Sequence, residues 1–487
     1  MSLELSAPWV AAGAEVTLSW TSSNATSCRG TQGISGDHPP AGSMQLAPRS
    51  TGDVVYAMSC SGKGGELSRA VSLTVDAPEN WPTYVATPQV IDELYDRFEG
   101  TSGRFHDPSY VSYLQQYKPF GDYLNWGVWR KFTDDGEVVI HASGLPQVRD
   151  GDKLYWNTVT LSHFGLTMYG RLLAGDETAR APFFAAVDKL LELQSSNGGF
   201  PYPSRQHRQT TLPDGWVSAM AQGNALSVFA RAVQLKNDER YRRAGELAFA
   251  NLMTPVSAGG SRTSMATLDP SLLRYIFFPE YPANPIDYTL NGYMYALLGV
   301  YDWSMSESGS KAQAAQAFKD GMRTLDKLLP LHDVDGYSTY DLAHLVLKVP
   351  PYVAPDYLGI HVHLLHALNS VAPSDVLQKY EKKWAAKIDS MNALLKFTSI
   401  SVSPQDAQVG KPVSIQLASA GGLGGVKLYS LSVKFKNEWS TAVSYAPSNR
   451  LTWSPQEPGT YDLGFFVKDQ GSTRDWDNFR YQTIIVR

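Results

Sequence analysis

Apolar and polar residues alternate with a period of two at both ends of the chain, and apolar residues recur at helical spacing through the middle. Near the start, "EVTLSW", "DVVYAMSC" and "AVSLTV" put every second side chain on one face between turns of Gly, Pro, Ser and Asn, which predicts a small β-sandwich. From about Phe397, "ISVSPQDAQVGKPVSIQLAS", "YSLSVKFKN" and "YQTIIVR" repeat that pattern and predict a second one. Between them, sets such as Phe164, Met168 and Leu172, or Tyr380, Trp384 and Ile388, fall on single helix faces. Eight helices result, paired as hairpins over about 155–174 with 181–194, 216–235 with 239–252, 289–304 with 311–329, and 360–371 with 375–389. Successive antiparallel pairs that each bury one face predict a ring of inner and outer helices, an α/α toroid. The expected organisation is a sandwich over 1–77, the toroid over 78–395 and a sandwich over 396–487.

Composition agrees with several cores: 487 residues with 43% hydrophobic content exceed what one domain needs. A formal charge of -5 with no run of like charge gives no field for a polyanion, so no nucleic-acid partner is expected. No apolar run approaches the roughly 20 residues of a membrane helix, so no membrane span is expected either. The opening "MSLELSAPWV" has neither the basic start nor the apolar stretch of a signal peptide.

Only two cysteines occur, both in the first segment. With Trp20 on an early strand and the cysteine pair spanning the middle of that segment, "VTLSWTSSNATSC" resembles the immunoglobulin-like modules of secreted bacterial proteins. That resemblance implies a disulfide between Cys28 and Cys60 and an oxidising compartment: secreted, periplasmic or on the cell surface. The C-terminal sandwich is read as immunoglobulin-like too. Neither sandwich shows paired acids, metal-ligand spacing or a nucleophile with a base.

Chemistry is expected on the long links between hairpins, 195–216, 257–288 and 331–360, because loops on a rigid scaffold carry most sites. All three are rich in aromatic residues, and the first two bring arginines. Flat rings for sugar faces and guanidinium forks for carboxylates suit an acidic, uronate-containing polysaccharide. Arg205, Arg208, Arg274, Tyr202, Trp216, Tyr288 and the nearby Asn291 are the candidate substrate contacts.

Four stretches in order, "WVSAMAQGNALSVFARA" (216–232), "EYPANPIDYTLNGYMYALLGVYDW" (280–303), "STYDLAH" (338–344) and "DYLGIHVHLLHAL" (356–368), resemble the catalytic region of D-glucuronyl C5-epimerases over about 155–390. The resemblance implies an α/α toroid that inverts C5 of glucuronate within a polymer such as heparosan or heparan sulfate. Such a reaction needs one group to take the C5 proton, a second to return one from the opposite face, and stabilisation of the enolate-like charge between. Carried over residue by residue, the family motifs put Glu280 and Tyr357 in the opposed acid/base roles and Tyr281 and Tyr340 as their hydrogen-bond partners. The prolines at 279, 282 and 285 would stiffen the loop that carries Glu280, and burial among Phe277, Phe278 and Tyr281 would raise its pKa. Two family positions differ: an arginine after "YDL" is Ala343 here, and a histidine after the "DY" tyrosine is Leu358.

"HVHLLH" places His361, His363 and His366 close in sequence, but only the last two share a helix face, so no catalytic metal is expected. A structural calcium on Asp333 and Asp335 is the one cofactor the acids allow. No nucleotide-binding or serine-hydrolase motif is present. Two other readings follow from the same residues: a uronate lyase, which shares the C5 proton abstraction and then expels the C4 substituent, and a non-catalytic glycan-binding surface protein.

Overall fold

The computed structural model describes residues 1–99, 116–125, 129–134, 136–353, 355–392, 395–404, 406–422, 426–436, 438–472 and 475–487. The chain divides into two compact units, Met1–Pro82 with Ser264–Tyr275, and Thr83–Thr263 with Ile276–Arg487.

In the first unit, alternating side chains close two sheets on one core. Ser2–Leu5, Val16–Thr21 and Ala41–Leu46 form one sheet; Trp9–Ala11, Ser27–Gln32, Gly36–His38, Gly52–Gly62 and Gly65–Asp76 form the other. Leu18, Trp20, Met58 and Leu73 meet between them. Cys28 and Cys60 lie opposite each other on adjacent antiparallel strands and are joined by a disulfide.

Among the described residues the second unit carries ten helices: α1 (Pro88–Glu99), α2 (Thr158–Leu173), α3 (Arg180–Leu193), α4 (Ala219–Leu235), α5 (Glu239–Met253), α6 (Leu290–Met305), α7 (Lys311–His332), α8 (Ala343–Val346), α9 (Pro355–Val371) and α10 (Asp375–Asn392). The four expected hairpins are α2/α3, α4/α5, α6/α7 and α9/α10. Helices α2, α4, α6 and α9 pack in series, each against the next, and α3, α5, α7 and α10 each lie against their own hairpin partner. The difference in sequence is physical: α4 and α6 are buried nearly all round, whereas α5 and α7 bury one face. Trp216 and Val217, expected to open α4, instead pair as a short strand with Pro201 and Tyr202; the helix begins after Ser218, whose hydroxyl accepts the Ala221 N–H. The C-terminal strands form sheets of three and five around Ile415, Leu431, Leu463 and Phe465.

Close approach of α4 and α6 fixes the middle of this unit. A Cβ on Gly223 would stand 2.5 Å from the Ala296 Cα, and one on Gly299 would run into the Gly223 backbone. Only glycine allows the two helices so near. Beside this contact, Arg231 of α4 donates to Asp302 of α6 at 2.6 Å; both side chains are fully buried. Tyr117 donates to the same carboxylate at 2.8 Å, and the Ser227 and Gly121 carbonyls accept from the guanidinium.

Asp302→Asn removes the counter-charge of a fully buried guanidinium and is expected to cost about 3–5 kcal/mol in chemical unfolding. Replacing both partners, with Arg231→Met and Asp302→Leu together, is expected to recover most of that loss; a double variant as unstable as the single one would show that the pair is not what Asp302 supports.

Candidate active site

Three links place the expected residues. The loop Phe277–Tyr288 is tied to the start of α4 by the Ala219 N–H donating to the Pro279 carbonyl at 3.0 Å. It is tied to the 340–342 segment by Leu342 donating to the Asp287 carbonyl at 2.6 Å and Leu290 to the Tyr340 carbonyl at 2.9 Å. Glu280 therefore sits between two anchored ends.

Glu280 is 8% exposed. Asn291, on the first turn of α6, donates from Nδ2 to its Oε2 at 3.2 Å. Gly292 makes this possible: a Cβ there would collide with the Glu280 Cβ and Oε2. Burial pushes the Glu280 carboxyl up to about 7; the hydrogen bond from Tyr281 opposes that, the nearby Asp287 charge adds to it, and His207 and Arg205 oppose it weakly. Tyr281 donates to Glu280 and accepts from Tyr340, and burial followed by the Glu280 charge holds both phenols well above the ordinary tyrosine range. The Tyr340 ring meets the Tyr357 ring edge to face at 4.7 Å. Glu280, Tyr281, Tyr340 and Tyr357 thus form one connected row.

A cavity of about 620 Å³ adjoins the row, lined among others by Tyr123, His163, Met220, Asn291, Tyr295 and Tyr357. Burial, with Arg130 nearby, lowers His163 to about 4, so it is neutral at physiological pH. The Asn291 Oδ1 is buried without a hydrogen-bond partner among the described residues.

The aromatic expectations divide. Tyr202 stacks on Trp216 at 4.8 Å and both border Tyr281, so they form the packing behind it. Tyr288, expected to contact substrate, is fully buried against Phe277; its φ of 57° turns the chain into α6. The arginines divide too. Arg205 is exposed, 5.5 Å from the Tyr281 ring, with no ion pair among the described residues. Arg208 donates from Nε to buried Asp341 at 3.0 Å, two positions from Ala343. Arg274 belongs instead to the N-terminal unit, where it pairs with Asp76 beside Trp9.

Asp333 and Asp335 each pair with a lysine, Lys383 and Lys387. His361, His363 and His366 turn to separate partners: the Ser338 hydroxyl, the Leu124 carbonyl and Glu381.

Sequence reasoning did not find His207. Its ring stacks on Tyr281 at 3.9 Å with 16° between planes, and its Nε2 meets Asp287 Oδ2 at 2.5 Å. Only its position beside Arg208 in an aromatic link pointed to it. Tyr123 and His163 also reach the cavity from segments without any motif.

Residues 194–386 match the family model described as D-glucuronyl C5-epimerase C-terminus. A D-glucuronyl C5-epimerase of Caenorhabditis elegans is 34% identical over 265 residues, covering 51% of this chain and 40% of that protein. An uncharacterized protein of Methanocaldococcus jannaschii is 30% identical over 174 residues, 36% of this chain and 53% of its own length. The chain therefore spans about two fifths and about half of these relatives. A family 76 glycoside hydrolase from a bovine Bacteroides thetaiotaomicron strain aligns over 77% of this chain and 99% of its own at 9% identity, with a TM-score of 0.37, too low to carry an argument. Motif order, family model and identity agree: the region 194–386 is similar to the C-terminal part of D-glucuronyl C5-epimerases.

Proposed function

We propose that this protein is a uronate C5-epimerase, acting on glucuronate within an acidic polysaccharide of the heparosan type, with its helical hairpins forming an α/α toroid around the reacting sugar. One observation carries the reading. A buried carboxyl near neutral pKa, Glu280, is held by Asn291 and Tyr281 beside a cavity that Tyr357 lines.

Glu280, ionised, takes the C5 proton, and the C5–H electron pair passes into the sugar carboxylate as an enolate. Tyr357 returns a proton to C5 from the opposite face, the pair re-forms a C5–H bond, and the configuration is inverted. Glu280 is then protonated and Tyr357 is a phenolate. The row Glu280, Tyr281, Tyr340, Tyr357 offers the reset: Tyr281 takes the Glu280 proton and passes its own to Tyr340, and Tyr340 passes its own to the Tyr357 phenolate, so one proton moves from Glu280 to Tyr357 and both return to their starting forms. Asn291 Oδ1 accepts a sugar hydroxyl, and Arg205 takes the uronate carboxylate, in place of the family arginine absent at Ala343.

Glu280→Gln is expected to lower the exchange of the C5 hydrogen with deuterated water on heparosan by about 10²–10⁴-fold, followed by NMR. Exchange at the native rate would remove Glu280 from the mechanism, and an unsaturated, ultraviolet-absorbing product would make the enzyme a lyase. In the unaltered protein kcat/KM is expected to fall as pH drops through about 7, since the base must be ionised.

Stability supplies an independent test. The folded pKa is raised, so the folded state holds the Glu280 proton more tightly than the unfolded chain does. Stability is complete below the unfolded value of 4.5 and declines as pH rises to about 7. Glu280→Gln is therefore expected to unfold at higher temperature than the parent at pH 8, by at most roughly 3 kcal/mol of stability, with the two converging near pH 4.5.

Gly292→Ala pushes against Glu280 directly. It is expected to reduce kcat by more than about tenfold with KM little changed, because a small displacement of an acid/base group is costly; full activity would show that the carboxylate has room.

A further inference from the structure

The outer face of the C-terminal five-stranded sheet carries aromatic rings that its core does not use. Along Gly459–Asp469, Tyr461, Leu463, Phe465 and Val467 point into the sandwich, which leaves Gly464 and Phe466 on the other side. Register sets Gly464 between Ser432 and Tyr481, Phe466 between Ser430 and Phe479, and Trp439 opposite Lys434. The rings then run together: Trp439 to Tyr481 at 5.5 Å, Tyr481 to Phe479 at 5.3 Å, Phe479 to Trp476 at 6.1 Å, and Trp476 to Phe466 at 5.5 Å.

Gly464 lies beneath them. A Cβ there would stand 3.0 Å from Phe466 and from Tyr481 and 3.2 Å from Trp439, so the rings lie down over the bare backbone. Trp439, Trp476 and Tyr481 nevertheless keep 48%, 41% and 57% of their surface in water. Leaving so much ring area exposed on one face is unfavourable unless something covers it.

We propose that this platform is a second glycan-binding site, taking pyranose residues of an acidic polysaccharide separately from the cavity beside Glu280. Flat π-faces match the C–H face of a pyranose, and the half-buried Ser432 is a hydroxyl partner for its rim. Lys434, next to Trp439 in register and without an ion pair among the described residues, supplies the complementary charge for a uronate carboxylate. The identity of the polymer rests on the epimerase reading: a substrate of many sugar units is long enough to be held at one place and processed at another, which raises its effective concentration at the cavity.

The test uses the full chain and immobilised heparosan, with dextran as the neutral comparison. Trp439→Ala with Tyr481→Ala is expected to weaken retention by about tenfold or more, and Lys434→Ala to weaken it on heparosan alone, while C5 exchange on a short heparosan oligosaccharide stays within about twofold of the parent. That retained exchange also shows that the variants fold. Unchanged retention, or no retention of the parent chain, overturns the proposal. So does a loss of retention that accompanies a change from dimer to monomer in light scattering, since the rings would then cover a second copy. Equal retention on dextran overturns the acidic specificity. A parent chain that is retained through the platform yet exchanges no C5 hydrogen would instead sink the epimerase reading and leave the platform standing.

Discussion

The near contact of α4 and α6 at Gly223 and Gly299 is the constraint on which the second unit is built. With the backbones this close, the first turns of the two helices stand side by side. Met220 and Asn291 therefore meet, and Asn291 reaches Glu280 from a fixed direction. Gly292 completes the arrangement by leaving space for the carboxylate where any other residue would intrude. Three glycines spread over two helices thus decide where one acid can stand.

Two buried carboxylates in this unit show how partners separate structure from chemistry. Burial raises both Asp302 and Glu280. Asp302 faces a full guanidinium charge, with Tyr117 as a further donor, so the ionised form is matched in place and the pair acts as a fastener. Glu280 has mainly neutral donors, Asn291 and Tyr281, while the cations near it contribute only weakly. A neutral shell stabilises the charge less, leaving the group balanced between its two forms near pH 7. A guanidinium placed against Glu280 as Arg231 is against Asp302 would hold its pKa down and leave it a weaker base.

Much of this was legible in the chain. Helical spacing located the four hairpins because α5, α7 and α10 each bury one face, and period-two alternation located both sandwiches. Glu280, Tyr281, Tyr340 and Tyr357 came from ordered motifs and are neighbours in space. Helix α1 is weakly marked in sequence, although Val90, Ile91 and Leu94 are spaced for it, because it is short and interrupted by acids. Residue type alone points Tyr288 and Arg274 toward substrate; local sequence does not say that the first turns into the core or that the second folds back with the N-terminal strands. The stacking of His207 on Tyr281 spans about 74 positions and depends on tertiary packing, for which no short-range pattern exists.

The tyrosines are best understood through what burial denies them. Tyr281 and Tyr340 are held well above their ordinary range, chiefly by desolvation and then by the Glu280 charge, so neither can act as a standing base near neutrality. A phenol that keeps its proton can still donate it and accept another in the same motion. On the proposed mechanism the two residues are conductors, with direction set by the one group in the row that titrates in the working range. When Glu280 is ionised their hydrogens point toward it; when it is protonated the polarity of the row can reverse. The same burial that disqualifies the tyrosines as bases suits them to the relay role that the proposed mechanism gives them.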